Sequence, residues 1–248
     1  MKNLIKFAAL GAALAVSSSL AFADSLVLGS YGTTVIPGLN NNAVTYVGAQ
    51  LFANDTTGCG VNPYCLPTYT GDTSFAGTTA VNLANGYWNA AAPNSSWVGI
   101  NATAGPVGTV NPQYGYYDFT TTFTAAGGPG YGGSLSVQAD DTVEVFLNGQ
   151  LLVPFGALGS DTKCADNQPS CSVLDVVSLS GITLNAGANA NTLRFVVAQA
   201  GSGTPGGDPS GFDFAANLSS TPEPSSLMLL GTGLTGAAGM LFRRRRSA

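Results

Sequence analysis

The stretch TVEVFLNGQLLV, Thr142 to Val153, decides how the chain folds. Val143, Val145 and Leu147 alternate with Thr142, Glu144 and Phe146, so an extended segment here presents one aliphatic face. Asn148-Gly149 follows at once and tolerates the positive φ values of a two-residue hairpin turn, which makes Gln150 to Val153 the return strand. The same period of two spreads outward from this hairpin. Tyr116 to Phe123 sets Tyr117, Phe119, Thr121 and Phe123 on one face, and Gly133 to Ala139 does so with Leu135, Val137 and Ala139. Ala43 to Phe52, Val173 to Leu179, Ile182 to Leu184, Leu193 to Ala198 and Gly211 to Leu218 complete the predicted strands. Clusters of Gly, Pro, Asn and Ser between them, such as Ala125 to Gly133 and Gly201 to Ser210, read as loops. No stretch from Asp24 to Ser220 carries a helical period. The expectation is an all-β, antiparallel β-sandwich of jelly-roll type.

The two ends are of another kind. Met1 to Ala23 has Lys2 and Lys6 before an apolar run, Phe7 to Val16, and ends in Ala21-Phe22-Ala23. That is the layout of a secretory signal peptide, cut by signal peptidase before Asp24. At the other end Pro222-Glu223-Pro224 precedes an uncharged span, Ser225 to Phe242, and then Arg243, Arg244, Arg245 and Arg246. The span sits at the short end of the roughly 17–25 residues of a transmembrane helix. The arginines abutting it belong on the cytoplasmic side. Everything before Thr221 then lies across the inner membrane.

This tail resembles the PEP-CTERM sorting signal of Gram-negative bacteria that make extracellular polysaccharide. The resemblance implies recognition by an exosortase, a membrane protease that would cut near Pro222-Glu223-Pro224 and pass the ectodomain to the cell surface or the extracellular matrix. The protein would be that enzyme's substrate.

Between the targeting segments, residues 24–220 hold two basic residues, Lys163 and Arg194, against twelve acidic ones, a net charge of about −10. Nucleic acid and anionic lipid surfaces, which need basic partners, are excluded. Roughly 200 residues are enough for one good-sized core. The four cysteines form two close pairs, Cys59 with Cys65 and Cys164 with Cys171. An oxidising destination makes each pair a local disulfide that pins a loop.

The half from Trp97 to Ser220 resembles galactose-binding-like jelly-roll modules of secreted proteins. The resemblance rests on Tyr116-Tyr117-Asp118-Phe119, on Ala139-Asp140-Asp141 leading into Val145 to Gly149, on Asn191 to Val197, and on Gly211-Phe212-Asp213-Phe214. Residues 24–93 would add the first strands of the same sandwich.

Histidine is absent, which removes the commonest general base and the Ser-His triad. Glycosidase chemistry needs only two carboxylates, and Asp118, Glu144, Asp175 and Asp213 are the candidates. Adjacent Asp140 and Asp141 would point to opposite faces of a strand. The leading expectation is non-catalytic, namely binding exopolysaccharide or forming part of the surface layer. A carbohydrate-active enzyme using paired carboxylates is the alternative. Trp88, Trp97 and Tyr131 would offer aromatic platforms for sugar rings if they stand on loops, or cap the core if they do not. Asp140, Asp141 and Asp213 would be the oxygen ligands if calcium binds.

Overall fold

The structure, a computed structural model, describes residues 24–31, 36–52, 66–71, 78–108, 112–158, 164–165, 167–200, 208–220 and 231–240. The signal segment with Ala21 and Ala23, Pro222-Glu223-Pro224, and Arg243 to Arg246 lie outside the described residues. So do Cys59 and Cys65. The disulfide expected between Cys59 and Cys65 is therefore not among the bonds seen, and the bridge that is seen joins Cys164 to Cys171.

Eleven strands follow in chain order: β1 (Ser25–Gly29), β2 (Asn40–Leu51), β3 (Thr78–Asn82), β4 (Val98–Gly99), β5 (Gly115–Ala125), β6 (Gly128–Asp140), β7 (Thr142–Leu147), β8 (Gln150–Val153), β9 (Asp175–Leu184), β10 (Gly187–Gln199) and β11 (Gly211–Ser220). All pairings among them are antiparallel.

The hairpin at Asn148-Gly149 forms as read. Asn148 (φ 50°) and Gly149 (φ 85°) both take the left-handed conformation, and Leu147 pairs with Gln150. From there β7 lies on β10 and β10 on β5, with Phe195 between Val145 and Phe119. The sheet continues as one hydrogen-bonded path, β8-β7-β10-β5-β2-β3-β4-β11-β6-β9, and β1 also pairs with β11. Short β3 and β4 carry that path round one side, so the expected two sheets are one sheet folded into a nearly closed sandwich. Within residues 24–93, β1, β2 and β3 pair into this sheet.

The core lies where the folded sheet faces itself. Phe119 and Phe195 from one layer meet Phe212 and Phe214 from the other at ring-centroid separations of 4.4–4.9 Å. Leu135, Val137, Val143, Val145 and Val197 fill in around them, all fully buried. Phe119, Leu135, Val137, Val143 and Val145 are positions the period of two grouped on one face of their strands.

The two ends of the sandwich meet. Ser25 pairs with Ser219, the Ser220 amide donates to the Asp24 carbonyl (2.9 Å), and the Asp24 amide donates to Ser220 Oγ (2.8 Å). First and last strands are thus clasped together. Residues 231–240, inside the apolar span, form a helix, α1. Among the described residues no helix is long and apolar enough to cross a membrane.

Candidate metal centre

Four strand ends converge at the end of the sandwich remote from Ser220. β6 finishes at Asp140, which pairs with Gly211 at the start of β11, and Thr142 of β7 pairs with Ala198 near the end of β10. Asp141 stands in the corner between β6 and β7, joined to Asp140 by a cis peptide bond, and Asp208 leads into β11. Asp141 is outside either strand, so the alternation that would separate it from Asp140 does not apply. Carboxylate oxygens of Asp140, Asp141 and Asp208 lie within 4.8 Å of one another, and all three residues are at most 1 % exposed.

Few donors serve this cluster. Trp88 Nε1 donates to Asp140 Oδ2 and the Ala200 amide to Asp141 Oδ2, each at 2.6 Å. Asp140 Oδ1 is buried with no hydrogen-bond partner. So is Oε1 of Gln199, whose Nε2 donates to the Asp208 carbonyl at 3.3 Å. Arg194 is the one basic residue among the described residues of 24–220, and it is engaged elsewhere, 2.6 Å from Asp118.

Burying even one ionised carboxylate without compensation costs several kcal/mol, and three together add mutual repulsion. Protons or a cation must relieve this. Burial, then the neighbouring charge of Asp141, push the Asp140 carboxyl well above the usual range; Trp88 opposes and Asp208 reinforces the shift. The ligand atoms on offer are all oxygens, a hard set that suits Ca2+ and not zinc. Cys164 and Cys171 also approach Asp140, but they are joined in a disulfide and offer no thiolate. The orphaned oxygens of Asp140 and Gln199, with the carboxylates of Asp141 and Asp208, would hold such an ion. It would supply the missing positive charge and tie the β6–β7 corner to the ends of β10 and β11.

The other predicted positions are placed as follows. Asp213 is not in the cluster: its carboxylate accepts from the Ala92 amide (2.7 Å) and Gln138 Nε2 (2.9 Å), and Ser30 Oγ lies 3.1 Å away. Its structural task is to anchor the loop before β4 to β6 and β11. Trp88 and Trp97 do not form a platform. They pack on each other (centroids 4.3 Å apart) and on Leu83 and the Cys164–Cys171 bridge, at 3 % and 1 % exposure. Tyr131 is equally buried, its hydroxyl donating to Asp24 Oδ2 at 2.8 Å. The Gly-, Asn- and Pro-rich segments around these rings fold inward, because each ring has an apolar cluster to cover and an acceptor for its polar atom. The Cys164–Cys171 disulfide does more than pin a loop, since it forms part of that cluster.

Asp118 accepts a bidentate contact from Arg194, with the Tyr69 hydroxyl 3.3 Å away; Arg194 also bonds the Tyr69 hydroxyl and lies over its ring. Burial raises the Tyr69 pKa to about 12, with the Asp118 charge adding to the effect. Glu144 is half-buried on β7, and burial pushes its carboxyl up. Asp175 starts β9, half-buried. Sequence reasoning missed Asp208 and Gln199. Asp208 lies in a stretch read as loop, and Gln199 carries no signal of its own until the sheet register places it beside Asp141.

The tail explains itself on comparison. Residues 220–246 match the PEP-CTERM protein-sorting motif. Such a motif implies an exported protein that an exosortase processes. The sorting motif begins on Ser220, the last residue of β11. No curated protein shows significant sequence similarity to the chain. Among solved structures it is similar to a Podospora anserina GH26-CBM35 β-(1,4)-mannanase at 19 % identity, covering 47 % of this chain and 23 % of that one, with a TM-score of 0.24. A Kluyveromyces marxianus β-glucosidase in complex with glucose matches at 14 % identity over 85 % of this chain and 20 % of that one, TM-score 0.33. The N-terminal cellulose-binding domain of a Cellulomonas fimi β-1,4-glucanase matches at 14 % identity over 52 % and 79 %, TM-score 0.20. The chain spans about a quarter or less of the first two proteins. At these scores neither a fold family nor a role is transferred from them.

Proposed function

We propose that this is a non-catalytic protein of the cell surface or extracellular matrix, sorted by an exosortase, whose sandwich binds exopolysaccharide and is made rigid by a bound divalent cation. The observation that carries the reading is the junction at Ser220. The sorting motif starts on the last residue of β11, which makes the folded sandwich its cargo. The apolar span holds the precursor in the inner membrane until the exosortase acts. A non-catalytic role is supported by five of the acids, with Glu144 and Asp175 the half-buried exceptions. Asp140, Asp141 and Asp208 are shut away from any substrate, Asp118 is tied to Arg194, and Asp213 is consumed by backbone and side-chain donors.

The test is co-sedimentation of the full chain, kept in detergent, with exopolysaccharide from an exosortase-bearing bacterium, in calcium and in chelator. Saturable binding without release of reducing ends is the expected result. Release of reducing ends would make the protein an enzyme, and no sedimentation in either condition would overturn polysaccharide binding.

A further inference from the structure

On the flank of the sandwich, away from the acidic end, the sheet leaves a gap. β2 follows β5 only as far as the Thr45–Thr120 pair, whereas its pairing with β3 runs on from Tyr46–Thr78 and Thr45–Thr79 to Asn40–Val81. Thr121 Oγ1 donates to the Ala43 carbonyl (2.6 Å) at the point of divergence. Beyond it the edge of β5 faces β1, whose one strand partner among the described residues is β11. The result is a groove of about 670 Å3, running between Val27–Gly29 of β1 and Thr120–Thr122 of β5. That volume lies within the roughly 300–1,000 Å3 typical of small-molecule sites.

Its rim is set by two asparagines in left-handed backbone conformations, Asn94 (φ 61°) and Asn189 (φ 52°). Gly29 allows the first of these turns to close on β1: a Cβ there would lie 2.3 Å from the Asn94 carbonyl oxygen. The Asn189 turn is held by its amide donating to Thr124 Oγ1 at 3.0 Å. Asn42, Thr45 and Thr122 add further amide and hydroxyl groups, and Tyr31, 54 % exposed, supplies a ring beside exposed Val27.

No residue lining the groove carries a formal charge at neutral pH, although the surrounding ectodomain has a net charge of about −10. Planar amides and hydroxyls match the hydroxyl rim of a sugar, and an exposed phenol ring matches its apolar C–H face. Ammonium or phosphate groups would find no counter-charge here. Acidic sugars would meet the field of the whole ectodomain.

We infer that this groove is the glycan-binding site and that it takes an uncharged oligosaccharide segment. The inference rests on the polysaccharide-binding reading and deepens it by naming the site and the ligand class. The experiment is titration calorimetry of the full chain in detergent with four hexasaccharide probes: β-1,4-linked glucose, β-1,4-linked mannose, α-1,6-linked glucose and α-1,4-linked galacturonate. Tyr31→Ala and Thr122→Arg are measured beside the parent chain, with unchanged thermal unfolding as the check on folding. At least one neutral probe should bind, and each variant should weaken it tenfold or more. A neutral probe bound equally by parent and variants overturns the groove while leaving polysaccharide binding in place. Preference for the galacturonate probe overturns the uncharged ligand class. Failure of every probe together with failure of exopolysaccharide co-sedimentation overturns both. Self-association in sedimentation velocity that Tyr31→Ala abolishes would give the groove to a second copy of the chain and overturn the inference as well.

Discussion

At the scale of single residues, the acidic end makes the sharpest demand. In calcium-free buffer the raised pKa of Asp140 means that the folded chain keeps a proton the unfolded chain releases near the ordinary value of 3.8. Its contribution is therefore level below that value, falls as pH rises toward the folded pKa, and stays low above it. A calcium ion held by the ionised carboxylates would reverse this trend. Thermal unfolding of the full chain should thus show a calcium-induced rise in Tm that is small at pH 4 and large at pH 7. Asp208→Asn, which keeps the side-chain volume, should lose most of that rise at pH 7; an undiminished rise would remove Asp208 from the site. A second prediction concerns Asp24, whose Oδ2 accepts from the Tyr131 hydroxyl and the Ala126 amide. Asp24→Ala leaves the buried Tyr131 hydroxyl without its acceptor and should cost about 1–3 kcal/mol in urea denaturation.

Strands are the next scale. Gly133 sits in β6 at φ +149°, and a Cβ there would fall 1.9 Å from the Asn217 carbonyl oxygen of β11. Gly133→Ala has to push those two strands apart, and a loss of about 1–3 kcal/mol in denaturant unfolding is expected. Unchanged stability would mean that the β6–β11 contact is slack. Most long strands were legible in the sequence because they alternate: β5 and β7 appear close to their predicted bounds, and four-residue β8 was legible from the Asn148-Gly149 turn before it. β9 is one strand where two were read, since Gly181 (φ 66°) lets it continue through an apparent break. β6 begins at Gly128, inside a Gly-rich stretch read as loop, because β9 offers it a pairing partner from Leu184 onward. β1, β3 and β4 were invisible; strands of two to five residues carry too few alternations to register. The site was half legible for a related reason. Asp140 and Asp141 adjoin a strong strand signal, whereas Asp208 is brought to them by long-range register alone. Of the two readings of Trp88 and Trp97, capping the core is the one the fold takes, although a loop-like neighbourhood does not reveal that a disulfide and Leu83 wait to cover them. Close spacing found the Cys164–Cys171 bridge, but it could not say that the bridge would be buried against those rings.

At the scale of the whole molecule the chain is polar in its layout. β11 carries Gly211, opposite Asp140, at one end and Ser220, clasped to Asp24, at the other, about 30 Å apart at roughly 3.3 Å per residue. The predicted signal-peptidase cut before Asp24 and the sorting motif after Ser220 therefore lie side by side. Glu223→Ala should leave full-length tail on the exported chain, read as an unshifted intact mass; normal trimming of that variant would separate processing from the motif. The clasp has a mechanical side. A protein held at Ser220 while its flank grips a polymer is loaded along the axis of β11. That strand is flanked by β6 over ten residue pairs and by β1 over five. Tension along such a strand shears the hydrogen bonds of both ladders in parallel, so no single bond bears the load alone, as it would in peeling. A sandwich tethered at Ser220 would thus resist drag along β11 better than a sideways pull on β1, which would break their five pairs one after another.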